Sequence, residues 1–261
     1  MLNKFKYVFS ILVLLLLISE LSWAQSKWYA NTSLQIINSD FQGNSSNSSF
    51  YFYNGLRFQT QSFSLGLSVP LVFVNGNRFI QSSDIGNSNN LMGESTMGSM
   101  TFGLGDLYLN SSVPVVNESG SIPTFSIDGY IKFPTSSTNL EIGTNKIDAQ
   151  IALGLRKYIH NFSLFAQFGY LFLGKSDGSN LIDPYTISIG LGYSFGYGQH
   201  SILLAYDSYT KIISGLSSPK QLALGYNYMI STGLYFNSFV SGGLNNSSAN
   251  FTVSGGLNFE L

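Results

Sequence analysis

Between residues 185 and 195 the chain alternates strictly. Tyr185, Ile187, Ile189, Leu191, Tyr193 and Phe195 share one parity, and Thr186, Ser188, Gly190, Gly192 and Ser194 the other. Period two marks an extended strand whose two faces meet different surroundings. Phe63, Leu65, Leu67, Val69, Leu71 and Phe73 repeat the pattern against Ser64, Gly66 and Ser68. Phe125, Ile127, Ile131 and Phe133 stand against Ser126, Asp128, Tyr130 and Lys132. Near the C-terminus Phe251, Val253, Leu257, Phe259 and Leu261 alternate with Thr252, Ser254, Asn258 and Glu260. Helical spacing is absent. The pattern predicts about 12 strands, at 28–37, 49–60, 62–74, 104–116, 123–133, 147–156, 162–173, 185–195, 201–208, 220–228, 234–241 and 250–261.

The polar faces decide what kind of sheet this is. A soluble sandwich also alternates, but its water-facing side carries many Lys, Glu and Thr. Here that side is mostly Gly, Ser, Asn and Gln, while the apolar side is rich in aromatics, often near strand ends. Both features fit an all-β, transmembrane, up-and-down antiparallel β-barrel with a lipid-facing exterior and a polar interior. In lipid every backbone N–H and C=O needs an internal partner, and only helices and closed barrels supply them.

The connections agree. Gln61, 117–122, 157–161, 196–200 and 229–233 are short, whereas 38–48, 75–103, 134–146, 174–184 and 209–219 are long, with 242–249 intermediate. An even strand number, short periplasmic turns and long outer loops are the habit of bacterial outer-membrane barrels, and both termini then lie on the periplasmic side. Loop 75–103 holds Phe79, Ile80, Met92, Met97 and Met100. It could fold inward as a constriction or plug, or remain a surface loop.

Lys4 and Lys6 precede a mostly apolar stretch over 7–18, Glu20 closes it, and Ser22-Trp23-Ala24 offers small residues where a signal peptidase reads. The stretch is too short to span a ~30 Å hydrocarbon core. Residues 1–24 therefore read as a cleaved Sec-type signal peptide, and 25–261 as the barrel, exported to the outer membrane of a Gram-negative bacterium.

Composition narrows the function. Charged residues are 10% of the 261, against about 25% in ordinary soluble domains. Twelve Lys and Arg face 13 Asp and Glu, which argues against nucleic acid as a partner. With no cysteine, thiol chemistry and Cys-ligated metal are excluded. The two histidines, His160 and His200, fall in expected short turns, far from the long loops, and read as solvated turn residues rather than parts of a hydrolase triad. The pairs Gly103/Gly105 and Gly190/Gly192 precede no helix, so they read as strand glycines of a crowded interior, not nucleotide loops. No catalytic, cofactor-binding or metal-ligating set is expected, and no enzyme.

Eight charges are left within the strands. Arg57, Asp106, Asp128, Lys132, Asp148, Arg156, Asp207 and Glu260 all take the polar parity. A basic residue at mid-depth on the lipid face costs about 2–4 kcal/mol, so they are expected in the lumen. They either line a pore and tune which solute passes, or pair with one another to fill it. Twelve strands lie between the filled eight-strand barrel and the open sixteen-strand porin, so a narrow pore and a plugged one are both consistent.

Four motifs follow one another in the centre of the chain: Gly103-Leu-Gly-Asp-Leu107, Asp128-Gly-Tyr-Ile-Lys-Phe-Pro-Thr135, Leu153-Gly-Leu-Arg-Lys-Tyr158 and Phe168-Gly-Tyr-Leu-Phe-Leu-Gly174. Together they resemble the outer-membrane transporters grouped as the MetA-pathway-of-phenol-degradation-like family, over roughly residues 100–260. Position 136 is Ser where that family usually has Gly, and the last residue is Leu rather than Phe. The resemblance implies a barrel that passes small, often aromatic, solutes. The expected partners are outer-membrane lipid and a small-molecule solute, with the barrel a monomer. The alternative is a structural or surface-interaction barrel without solute flux, whose Ser/Asn-rich outer loops are the working part.

Overall fold

The computed structural model describes residues 26–39, 47–75, 100–138, 140, 144–176 and 179–261. The leader expected over 1–24 and residues 76–99 of the longest loop lie outside them. Among the described residues the regular elements are strands: β1 (Lys27–Ser39), β2 (Asn47–Gln59), β3 (Ser64–Asn75), β4 (Met100–Leu104), β5 (Leu107–Val116), β6 (Thr124–Phe133), β7 (Asp148–Ile159), β8 (Phe162–Phe172), β9 (Tyr185–Phe195), β10 (His200–Tyr209), β11 (Lys220–Ser231), β12 (Leu234–Gly243) and β13 (Phe251–Glu260).

Neighbours pair antiparallel in chain order, and β1 returns to β13 from Tyr29↔Glu260 to Asn38↔Phe251, which closes the sheet. β4 and β5 are two halves of one stave, since both pair with β3. The result is a closed barrel of 12 antiparallel staves. Closure gives every strand except the short β4 two strand partners.

The expected single strand over 104–116 is therefore corrected: the stave starts at Met100 and breaks at Gly105–Asp106. Pro70 of β3 supplies the reason. It has no N–H to give the ladder, so it is tolerated only at an edge or a bulge. At this point the Gly105 N–H donates to the Pro70 carbonyl (2.8 Å) and the parity of the stave flips. A Cβ on Gly105 would stand 2.7 Å from Pro70 Cγ and 2.9 Å from Val72 Cγ2, so the bulge needs glycine. Two turns are tighter than expected. The 157–161 connection shrinks to His160–Asn161, and 229–233 to 232–233, because β7 and β11 run on to Ile159 and Ser231.

The exterior follows the alternation: Tyr185, Ile187, Ile189, Leu191, Tyr193 and Phe195 all face out. It is not uniformly apolar. Thr32 and Asn54 also face outward, and the Thr32 hydroxyl donates to Asn54 Oδ1 (3.1 Å), so the hydroxyl proton and the amide oxygen partner each other without water.

The long-loop end of the barrel is filled by apolar side chains. Leu140, from the 134–147 connection, packs on inward-facing Ile37, Tyr51, Val72 and Val74. Leu181 and Ile212, from two further loops, pack on Leu171 and Leu173. Those two loops are joined by a hydrogen bond from the Ile182 N–H to the Ile212 carbonyl (2.7 Å).

Candidate functional site

The register places the inner wall residue by residue. On β2 the inward side chains include Tyr51, Tyr53 and Arg57; on β3 they include Ser68, Pro70 and Val72. β5 contributes Tyr108, Asn110 and Ser112, β6 contributes Ser126, Asp128, Tyr130 and Lys132, and β7 contributes Asp148, Gln150 and Arg156. These parities all follow from the strand patterns. Which of the residues meet across the barrel does not.

Four tyrosines meet first. Tyr51 and Tyr53 stack with centroids 5.9 Å apart, Tyr53 lies 6.4 Å from Tyr108, and Tyr108 stacks on Tyr130 at 5.9 Å. These are the offset geometries that aromatic pairs favour. Tyr209 of β10 joins them, since it and Tyr130 pack on the same apolar cluster around Leu171. Tyr53, Tyr108, Tyr130, Tyr209 and Leu171 wall a chamber of about 240 Å³ beneath the filled mouth. The chamber runs into a wider cavity of about 530 Å³, the two sharing Ser68, Asn110, Tyr130 and Gln150. The wider cavity adds the polar side chains of Asn31, Arg57, Ser112, Asp128 and Gln167 to its wall.

The eight strand charges divide into groups. Arg57 and Asp128 line the wide cavity. The Arg57 guanidinium sits 4.6 Å over the Tyr29 ring. Asp128 accepts from Ser112 Oγ (2.6 Å), Ser126 Oγ (3.3 Å) and Gln167 Nε2 (2.8 Å). Glycine makes room for it: a Cβ on Gly154 would stand 2.7 Å from Asp128 Oδ2.

Lys132, Asp106 and Asp148 form a sealed triad. Their side chains are 0%, 3% and 1% exposed, with Lys132 Nζ 2.7 Å from Asp148 Oδ2 and 3.6 Å from Asp106 Oδ2. Asp148 Oδ1 also accepts from the Gly174 N–H (2.7 Å), and Asp106 Oδ1 from the Ser136 N–H (2.9 Å). The triad thereby ties the roots of two long loops to the barrel wall. Arg156 lies toward the short-turn end, 5.8 Å from the Tyr158 ring. Asp207 accepts from Ser188 and Gln221, and Glu260 pairs with Lys27 at 2.6 Å beside the termini.

The histidines part ways. His160 is exposed in its turn at φ 54°. His200 is not a solvated turn residue: it opens β10, stacks on Phe195 (5.1 Å) and Tyr228 (4.8 Å), and shares a 2.8 Å hydrogen bond with the Tyr226 hydroxyl. Among the described residues no three His, Asp or Glu side chains cluster as a metal site would require.

Sequence reasoning named the charges and passed over the tyrosines and amides. A signal was present: Tyr51, Tyr53, Tyr108 and Tyr130 all take the polar parity, where an aromatic ring must face the lumen rather than lipid.

Comparison with known proteins now adds the lineage. The family model described as MetA-pathway of phenol degradation matches residues 30–261. The chain belongs to this family. The match reaches well beyond the expected 100–260, into β1 to β3. The fold of the COG4313 outer membrane channel from Pseudomonas putida F1 superposes with a TM-score of 0.66 at 13% identity, covering 90% of this chain and 96% of that one. The transport unit of the autotransporter AIDA-I from Escherichia coli gives 0.54 at 12% identity, covering 92% and 91%. The KdgM porin gives 0.51 at 13%, covering 91% and 99%. At these identities the likeness shows a shared outer-membrane barrel fold. Among curated proteins none matches the chain.

Two of the motifs that carried the family resemblance, 103–107 and 128–135, meet in space. The Leu107 N–H donates to Thr135 Oγ1 (2.9 Å), the Leu104 N–H to Ser137 Oγ (3.0 Å), and the Ser137 N–H back to the Leu104 carbonyl (2.8 Å). With the Asp106–Lys132 contact, these bonds hold the bulge that Pro70 demands. At position 136 it is the backbone N–H that bonds Asp106, so Ser serves as well as the family's usual Gly.

Proposed function

We propose that this barrel is a non-catalytic outer-membrane channel that passes small aromatic solutes. The observation that carries the reading is the tyrosine-walled chamber, continuous with a lumen of about 530 Å³. Tyrosine rings along the wall offer a passing aromatic solute repeated aromatic contacts worth ~0.5–1.5 kcal/mol each. Membership of the family supports the same class of solute. The eight strand charges take the inward side in this reading. Arg57 and Asp128 meet solute, while Lys132, Asp106 and Asp148 act as internal pairing.

The chain enters the outer membrane as a monomer after removal of residues 1–24, with lipid as the partner of its outward face. Purified mature protein should begin at Gln25 and show heat-modifiable mobility in detergent. Proteoliposomes containing it should take up single-ring aromatics faster than empty vesicles. Vesicles that stay sealed to every ring tested refute the channel. The apolar filling around Leu140, Leu181 and Ile212 favours a second reading, a structural barrel without flux, and sealed vesicles would support it.

A further inference from the structure

We propose that the junction of the two cavities is a binding subsite for one aromatic ring bearing a hydroxyl or carbonyl group, so that the barrel takes polar-substituted rings in preference to bare hydrocarbons. This deepens the channel reading and rests on it.

Three observations lead there. The tyrosine chamber, at about 240 Å³, is smaller than the ~300–1,000 Å³ pockets that hold drug-sized ligands, so it suits a single ring. Its walls are tyrosines from β2, β5, β6 and β10, and aromatic walls favour an aromatic guest. Where chamber meets lumen, the wall changes character and presents the amides of Asn110 and Gln150.

Those amides have capacity to spare. Asn110 faces the lumen and makes no side-chain hydrogen bond among the described residues, leaving one acceptor and two donors. Gln150 spends one N–H on Thr186 Oγ1 (2.8 Å), which fixes the side chain and leaves its carbonyl oxygen and second N–H toward the junction. Gly169 permits this arrangement, since a Cβ there would stand 2.8 Å from Gln150 Nε2. A ring seated on Tyr130 and Tyr108 displaces water from both amides. A hydrocarbon gives nothing back for that water, whereas a hydroxyl or carbonyl on the ring replaces its bonds. Sites built to bond a polar substituent discriminate against the analogue that lacks it.

Phenol and toluene, nearly the same in shape, isolate the hydroxyl. Binding of each to the folded, detergent-solubilised mature barrel is measured by titration calorimetry, with glucose as a polar non-aromatic ring, and flux is measured in parallel in proteoliposomes. Phenol should bind about tenfold tighter than toluene, the worth of one or two net hydrogen bonds. Asn110→Leu and Gln150→Leu should each weaken phenol by about three- to tenfold and leave toluene unchanged. Tyr130→Leu should weaken both, and Tyr130→Phe should restore toluene. Heat-modifiable mobility certifies the fold of each variant, and Asn110→Ser replaces any leucine variant that fails it.

Equal binding of phenol and toluene, glucose binding as tightly as phenol, no binding of either ring, or an Asn110 variant with an unchanged phenol-to-toluene ratio would each overturn the subsite. Proteoliposomes closed to both rings would instead overturn the channel, while the calorimetric ratio still decides the subsite.

Discussion

Replacing Lys132 by Met removes one charge and almost no volume from the triad. The ammonium lies 2.7 Å from Asp148 and 3.6 Å from Asp106, with all three side chains buried. At an effective dielectric of about 20 these contacts represent gross attractions of about 6 and about 5 kcal/mol. Much of that offsets the cost of taking three charges out of water, so the net worth of the triad is small. The single substitution is different. It leaves two carboxylates buried, each keeping one backbone donor, Gly174 N–H for Asp148 and Ser136 N–H for Asp106. Removing one partner of a buried pair costs about 3–5 kcal/mol. Lys132→Met should therefore destabilise the barrel by that amount, read from urea unfolding in lipid vesicles followed by tryptophan fluorescence. Adding Asp106→Asn and Asp148→Asn to the same chain should recover most of the loss, because the uncompensated charges are gone. A single variant within about 1 kcal/mol of wild type, or a triple variant as unstable as the single one, would refute the reasoning.

Other consequences are more local. Gly105→Val should cost about 1–3 kcal/mol through overpacking on Pro70 and Val72 in the same unfolding assay. Gly66→Ala, whose new Cβ would meet nothing nearer than the Leu56 carbonyl oxygen at 4.0 Å, should be tolerated. Leu181→Ala should cost about 2–5 kcal/mol and loosen the loop pair in the mouth, raising single-channel conductance in planar bilayers; unchanged conductance would mean the filling does not restrict passage. At the short-turn end, the hydrogen bond from Lys157 Nζ (2.8 Å), aided by the Tyr158 N–H, holds the Glu118 carboxyl below its ordinary value of 4.5. A depressed carboxyl stabilises the fold above its unfolded value and loses that contribution as pH falls through the folded one. Hydrogen exchange in the 117–123 connection should thus rise only below about pH 4.5, and Glu118→Gln should remove the pH step.

What the chain determined by itself is the parity of each strand, and with it the barrel. A period of two is local: Phe63 to Phe73 and Tyr185 to Phe195 declare which side chains share a face, and a face of aromatics opposite one of Gly, Ser and Asn declares lipid on one side and lumen on the other. Strand count and the alternation of short and long connections follow from that without knowledge of any distant contact. Pro70 even marks the bulge, because a missing N–H is a local fact, although its consequence at Gly105 appears only when β3 meets its neighbour.

Height along the barrel axis is not local. It depends on how far each strand is staggered against the next and on where β1 meets β13. Parity alone sets Lys132 beside Asp128 on one strand, yet the register of β6 against β7 pairs it with Asp148 across the ladder, and the bulge of the neighbouring stave brings in Asp106. Tyr53, Tyr108, Tyr130 and Tyr209 come from four strands, and their convergence into one chamber, with Asn110 and Gln150 at its floor, was decided by the stagger of the closed sheet.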